Sequence, residues 1–209
     1  MKKTAVITKK NLTLRHRKSK DMHKHNINIR PASKEDSPFI AYAVAMAIGD
    51  EEAIKNYCGE DYITLLTLIA ESDNSQYSYR NTLIAETDSH SVGAVIGYDG
   101  AKLHELRSTT YSIIERHLGR TPSIPDETEP GEFYLDSLAV IPEQRKKGIG
   151  RQLIKALRDK AFSEGHKHIG LIVDFDNPRA EALYTSLGFT RIETKTFLGH
   201  KMWHMQAAK

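Results

Sequence analysis

"VIPEQRKKGIGRQL", Val140–Leu153, is the stretch on which the reading of this chain turns. A run of β-type residues stops at Pro142, a polar and basic segment follows, and Gly148 and Gly150 stand one residue apart where a helical pattern begins. A strand that ends in a glycine-rich turn and feeds a helix has the parts of a phosphate cradle. Its backbone N–H groups are free to point inward, no side chain obstructs them, and a helix dipole lies behind. Arg145, Lys146 and Lys147 add long-range attraction for a polyanion, or they are only solvated charges on a surface turn. Two common phosphate motifs do not fit. The Walker pattern requires GxxxxGK followed by Ser or Thr, and the dinucleotide fingerprint requires a third glycine where Leu153 stands.

Downstream, "GIGRQLIKALRDKAFSEG" predicts an amphipathic helix with Ile149, Leu153, Leu157 and Phe162 near one face, stopped by Gly165. "KHIGLIVDF" reads as a buried strand. "NPRAEALYTSLG" reads as a helix with Asn177 as N-cap, Pro178 in its first turn and Gly188 at its end. "FTRIETKTFL" and "KMWHMQA" predict a closing hairpin. Upstream, "EFYLDSLAVI" is a strand, and "RTPSIPDETEPGE" before it is an acidic, proline-rich loop. The first half predicts a strand at "NINIRPAS", helices at 36–49, 60–72 and 101–119, and a hairpin from "NTLIAETD" and "SVGAVIGYDG". The mixture implies an α/β or α+β fold with a partly parallel core.

The 209 residues suit one domain with a sizeable core, and a hydrophobic fraction of 39% with 27% charged residues is ordinary for a soluble globular protein. No apolar run is long enough to span a bilayer, so no membrane partner is expected. The start is charged and lacks the apolar centre of a signal peptide, and the single Cys58 fits a reducing compartment; the expected location is the cytoplasm. Residues 1–25 hold nine Lys or Arg against one acid, a net +8, so the other 184 residues carry −5 of the chain's total of +3. We expect residues 1–25 to be a basic, disordered extension and residues 26–209 to be one domain. The extension has no aromatic residue for base stacking, so nucleic acid is not the expected partner. The ten histidines show no metal-ligand spacing such as HExxH, and no metal is expected.

Taken together, "LDSLAVIPEQRKKGIG" and "NPRAEALYTSLGF" resemble the GNAT superfamily of acetyl-coenzyme A-dependent N-acetyltransferases, over about residues 135–190. The family pattern of Arg or Gln, two residues, Gly, any residue, then Gly or Ala reads here Arg145-Lys146-Lys147-Gly148-Ile149-Gly150. The resemblance implies a mostly antiparallel central sheet, splayed at its middle strands and flanked by helices. It implies that the strand backbone at Leu138, Ala139 and Val140 pairs with the pantetheine amides of acetyl-CoA. It further implies that the turn from Arg145 through Gly150, with Arg151, binds the pyrophosphate, and that Asn177 belongs to the same cofactor site. Tyr184 matches the tyrosine that acts as the acid for the leaving thiolate; the alternative is a packed helix tyrosine.

The base is left open among Asp136, Glu132 and water. Asp136 matches a carboxylate position of spermidine/spermine acetyltransferase-like members. By strict alternation it shares a strand face with Val140, Glu132 and Tyr134. The expected reaction moves an acetyl group from acetyl-CoA to a primary amine by direct attack in a ternary complex. The acidic loop "PDETEPGE" points to a cationic acceptor, either a small amine or the Lys or N-terminal amine of a protein. A homodimer is one assembly open to such a domain. Two rival readings remain: a domain that binds acyl-CoA without turnover, and a nucleic-acid-associated module using the basic arm.

Overall fold

A computed structural model describes residues 27–209, and the predicted basic extension lies outside the described residues. The first half runs β1 (Asn28–Pro31), α1 (Ser37–Ile48), α2 (Glu51–Cys58), α3 (Tyr62–Glu71), β2 (Thr82–Thr87), β3 (His90–Asp99) and α4 (Leu103–Leu118). The second half runs β4 (Phe133–Val140), α5 (Ile149–Ser163), β5 (His168–Asp174), α6 (Pro178–Thr185), β6 (Thr190–Phe197) and β7 (His200–Ala208). The short helix α2 carries no long apolar period and has no counterpart in the sequence reading. Its signals are local: Asp50 caps the N–H of Ala53, Glu51 and Glu52 face the helix dipole, and Gly59 ends it at φ +79°.

The strands form one seven-stranded sheet in the order β1-β2-β3-β4-β5-β7-β6. Every neighbouring pair is antiparallel except β4 and β5. That parallel pair is short: Phe133 lies beside Ile169 and Tyr134 beside Gly170, and the ladder stops there. Beyond it β4 keeps its pairing with β3 and β5 keeps its pairing with β7, so the sheet is splayed at its middle. This is the mixed, mostly antiparallel sheet that the sequence resemblance implies.

Helices cover both faces. Ile149, Leu153, Ile154, Leu157 and Ala161 of α5 are buried with Leu83, Val95, Phe133, Leu135, Ile169 and Leu171 of the sheet. Burying each such large aliphatic side chain stabilises the fold by about 1.5–3 kcal/mol. The opposite face carries Ile40, Val44, Leu66 and Ile69 from α1 and α3, packed on Ile84, Ala94, Ile96 and Ala139. A third, smaller cluster sets Leu103 and Leu106 of α4 against Tyr98 and Tyr134.

At the closed end of the splay a buried ion pair crosses the sheet. Glu132 and His204 are each 1% exposed, with Glu132 Oε2 2.9 Å from His204 Nε2. Thr128 Oγ1 and Gln206 Nε2 also donate to the carboxylate, at 2.6 and 2.8 Å. These donors outweigh burial and hold the Glu132 carboxyl below its ordinary range, while the carboxylate raises His204. The carboxylate lies over Gly170, where a methyl group would overlap it. Gly170→Ala must therefore displace the buried pair, and we expect it to cost about 3 kcal/mol. For a chain of this size that is a fall in Tm of about 6–12 °C. Thermal unfolding checks this, and an unchanged Tm would remove Glu132 from its place over Gly170.

Candidate active site

The cradle forms at the end of β4. Arg145 Nε donates to Val140 O at 2.9 Å, so this side chain ties the turn back to the strand it leaves. Lys146 has φ +63° and Gly148 has φ +81°, two left-handed residues that bend the backbone into the mouth of α5. The carbonyls of Ile141, Pro142 and Gly148 accept from the N–H groups of Gln144, Arg145 and Gln152. Between them, among the described residues, the N–H groups of residues 146–151 have no acceptor. No side chain caps α5. These are the orphan donors that a helix start offers to an anion.

A cleft of about 390 Å³ opens over this turn. Leu138, Val140, Arg145, Lys146, Gly148, Ile149, Gly150, Arg151 and Asn177 all line it. Lys147 does not; its Nζ donates to Gln144 Oε1 at 2.8 Å. Ala139 does not either, being packed into the α1–α3 cluster. Arg151 Nη2 donates to Ser186 Oγ at 2.7 Å, and Asn177 Oδ1 caps α6 by accepting from Ala180 N at 3.1 Å. Gln144 and Arg179 also line the cleft, and the sequence reading had not singled them out.

An acyl-CoA fits this surface by one test the chain itself provides. A Cβ on Gly150 would meet only Val140 Cγ2 at 3.9 Å and Leu138 Cδ2 at 4.0 Å, both ordinary contacts. The fold does not need glycine at this helical position. The missing side chain leaves the cleft floor bare where the unpaired N–H groups lie.

A second cleft of about 550 Å³ adjoins the first and shares Leu138, Asn177, Ala180 and Leu183 with it as lining. It lies along the splay and brings Asp136 and Tyr184 to one wall system with Ala47, Ile48, Asp174, Asp176 and Met202. Tyr184 is 9% exposed, beside Phe189 at a ring-centroid distance of 5.8 Å. Burial pushes its hydroxyl up to about 12.

Asp136 shares a face with Tyr134, and strict alternation ends at it. The β3–β4 register shifts from Ile96 opposite Ser137 to Gly97 opposite Leu135, so Asp136 is the extra residue of a β-bulge. The bulge reverses the faces. Phe133 and Leu135 before it, and Leu138 and Val140 after it, pack with α5. Asp136 is turned to the other side, where Tyr98 Oη donates to its Oδ2 at 2.9 Å and Ser137 Oγ to its Oδ1 at 2.8 Å. The face shared by Asp136 and Val140 in the sequence reading is thereby corrected. Glu132, the other candidate base, lines neither cleft and is held in its ion pair.

The loop before β4 also differs from expectation. Three of its four carboxylates are paired within the chain, Glu127 and Glu132 buried and Asp126 exposed. Asp126 Oδ1 pairs with Arg107 Nη1 at 2.6 Å, Glu127 pairs with Arg107 Nη2, and Glu132 pairs with His204. Glu127 is 5% exposed, and the sequence reading had assigned it no role; only the acidity of "PDETEPGE" marked its loop. The acids that line the cleft are Asp136, Asp174 and Asp176. Among the described residues no group of three or more His, Cys, Asp or Glu side chains is placed to hold a metal. None of their helices is long and apolar enough to cross a membrane.

Comparison with known proteins agrees with this geometry. The chain is 33% identical over 129 residues to a mycothiol acetyltransferase of Kocuria rhizophila, covering 62% of this chain and 36% of that protein. It is 33% identical over 117 residues to the N-alpha-acetyltransferase RimI of Mycobacterium tuberculosis, covering 54% and 59%. The chain thus spans roughly a third to three fifths of the length of these relatives. A crystal structure of an acetyltransferase superposes with a TM-score of 0.75 at 32% identity, over 87% of this chain and 98% of that one. An N-acetyltransferase from Staphylococcus aureus Mu50 shares the fold with a TM-score of 0.77 at 23% identity, over 86% and 100%. Residues 56–189, which hold the glycine turn, the splayed strands and the Asn177 helix, match the acetyltransferase (GNAT) family, and the chain belongs to it.

Proposed function

We propose that this chain is an acetyl-CoA-dependent N-acetyltransferase that acetylates a cationic primary amine by direct attack in a ternary complex. The observation that carries this reading is the adjacency of two clefts that share Leu138, Asn177, Ala180 and Leu183. One is floored by unpaired N–H groups at the start of α5, and the other holds Asp136 and Tyr184 along the splay of β4 and β5. Acetyl-CoA supplies an electrophilic thioester carbonyl and a thiolate leaving group. The residues of the chain do the rest. The turn 145–151 binds the pyrophosphate through backbone N–H groups, and Arg145 acts mainly by holding the turn. The β4 backbone near Leu138 and Val140, unpaired on its β5 side, takes the pantetheine amides. Asp136 accepts the proton of the incoming ammonium, and Tyr184 donates a hydrogen bond to the developing thiolate.

A cationic acceptor is favoured by the three carboxylates lining the second cleft, rather than by the loop before β4. Asp174 is already engaged, by His200 Nδ1 at 3.0 Å and by the N–H of Asp176 at 2.8 Å. Asp136 accepts from Tyr98 and Ser137, so among the described residues Asp176 is the one of the three whose carboxylate accepts no hydrogen bond. The relatives are named for mycothiol and for an α-amine, so small amines and peptide N-termini both belong in the first screen. The cytoplasmic location and a single domain over residues 26–209 belong to the same reading.

Thermal stabilisation by acetyl-CoA, followed by release of free CoA thiol with a panel of amines, tests the proposal. Stabilisation by acetyl-CoA and faster thiol release with cationic amines are the expected results. A preference for anionic amino acids would overturn the acceptor class. Stabilisation without thiol release from any amine would leave a binding domain.

A further inference from the structure

Behind Asp136 lies a buried polar cluster that direct attack by an amine does not by itself require. Tyr98 Oη is 2.9 Å from Asp136 Oδ2 and 3.4 Å from Glu127 Oε1, so one hydroxyl stands between two carboxyl groups. It has a single hydrogen and can donate to only one of them at a time. Gln76 Nε2 donates to both Tyr98 Oη and Glu127 Oε1, at 3.3 and 3.2 Å, and holds that end of the chain in place. Arg107 pairs with the far side of Glu127 and is itself fixed by the carbonyls of Ile124 and Pro125, each at 3.2 Å. Asp136 lines the cleft and Glu127 does not.

We propose that Glu127 is a proton store for the reaction, filled from Asp136 through the Tyr98 hydroxyl. This rests on the reading of Asp136 as the group that deprotonates the amine. The ammonium proton passes to Asp136. The Asp136 hydroxyl then donates to Tyr98 Oη while the Tyr98 hydrogen moves to Glu127, so one O–H bond breaks for each that forms. Asp136 returns to its carboxylate form. The amine nitrogen loses a second proton as the C–N bond forms, and that proton ends on the departing thiolate. One proton on Glu127 and one on sulfur account for the two that the ammonium gives up, and the stored proton leaves to solvent with the products. Glu127 acts only through Asp136 and is a positioning residue, not a group that touches substrate.

The electrostatics support this arrangement. Burial, then the neighbouring Asp136 charge, pushes Glu127 up to about 7 against the opposing pull of Arg107. Burial also raises Asp136, opposed by its hydrogen bonds from Ser137 and Tyr98 and by the Arg107 charge. The surrounding titratable groups are Tyr57 of α2, Tyr77, Tyr111 of α4 and Tyr134 of β4, all shifted upward by burial and so neutral at working pH. Asp126 is the remaining acid at Arg107. Two like charges over one hydroxyl take up a proton more readily than either alone, and they titrate as a pair.

Glu127→Gln and Tyr98→Phe test the store, because they move the acid limb of the kcat/KM profile in opposite directions. Glu127→Gln keeps a partner for Arg107 and removes the neighbouring charge. Asp136 then loses its proton more easily, and the limb should move down by about one pH unit. Tyr98→Phe removes a donor to the Asp136 carboxylate while leaving Glu127 charged, so the limb should move up. Both should lower kcat by about tenfold or more, with acetyl-CoA affinity unchanged. A purely structural role would lower activity without moving the limb, and a limb unmoved in Glu127→Gln overturns the proposal. Carboxyl-carbon NMR titration of the free protein reads the same pair without turnover. Two linked titration steps should appear, reduced to one in Glu127→Gln; independent single steps would overturn the store even if the enzyme is active. A wild-type protein that shows the linked steps and releases no thiol with any amine would instead overturn the reading of Asp136 as base.

Discussion

Gly150→Leu is expected to weaken acetyl-CoA binding by about tenfold or more, which is about 1.4 kcal/mol, whereas Gly150→Ala, which the family pattern also admits at this position, should keep the binding and leave the protein as stable as the wild type or more so. Two side chains of different length at one position make the result decisive. Gly150 is the second residue of α5, where replacing glycine by alanine removes backbone entropy from the unfolded chain and gains up to about 1 kcal/mol. The added Cβ finds only ordinary contacts with Val140 and Leu138. Gly150 lines the cleft, so the longer side chain of Gly150→Leu should enter the space that the pyrophosphate must occupy. Gly148 offers the internal contrast. A Cβ there meets nothing within 4 Å, but φ +81° strains any L side chain, so Gly148→Ala should cost about 1–2 kcal/mol of stability. The readout is the shift in Tm with increasing acetyl-CoA, which tracks the dissociation constant by mass action. Equal acetyl-CoA-induced shifts in Gly150→Leu and wild type would remove the turn from pyrophosphate binding.

The contrast between these glycines also shows what was legible beforehand. The pattern Arg145 to Gly150, set between a strand and a helix, is local information, and local signals placed α5 and β5 within a residue or two of their observed ends, while α6 stops at Thr185, three residues short of the Gly188 where the sequence ended it. The splay was implied by family resemblance alone, because nothing in the period of "EFYLDSLAVI" says that its pairing with β5 stops at Tyr134. The bulge at Asp136 was not legible. A single extra residue reverses the alternation, and its register depends on β3, some forty residues earlier. The acidity of "PDETEPGE" was plain, but its partners Arg107 and His204 come from α4 and β7, so a sequence window could not separate inward carboxylates from those facing substrate. Glu127 was missed for the same reason. Its environment is made by Gln76, Tyr98 and Arg107, which no short motif joins.

Tyr184→Phe should lower kcat by about a hundredfold and leave acetyl-CoA affinity and Tm close to wild type. The hydroxyl has no hydrogen-bond partner among the described side chains, so its removal breaks no bond that the fold depends on, and the ring keeps its packing against Phe189. Its chemistry is set by burial. A hydroxyl pushed up to about 12 holds its proton across the working range and is always ready to donate. A thiol ordinarily loses its proton well below a phenol, so full transfer from this buried tyrosine to the thiolate runs uphill. Tyr184 therefore does its work as a hydrogen-bond donor to sulfur while negative charge builds, and the thiolate takes its proton from the amine side of the reaction. The loss in Tyr184→Phe should accordingly fall on kcat rather than on KM for acetyl-CoA, and no basic limb from this residue should enter the kcat profile below about pH 10. Tyr184→Phe with an unchanged kcat would return the residue to a packing role. A kcat that falls together with acetyl-CoA affinity would place the hydroxyl on the cofactor in the ground state instead of on the leaving sulfur.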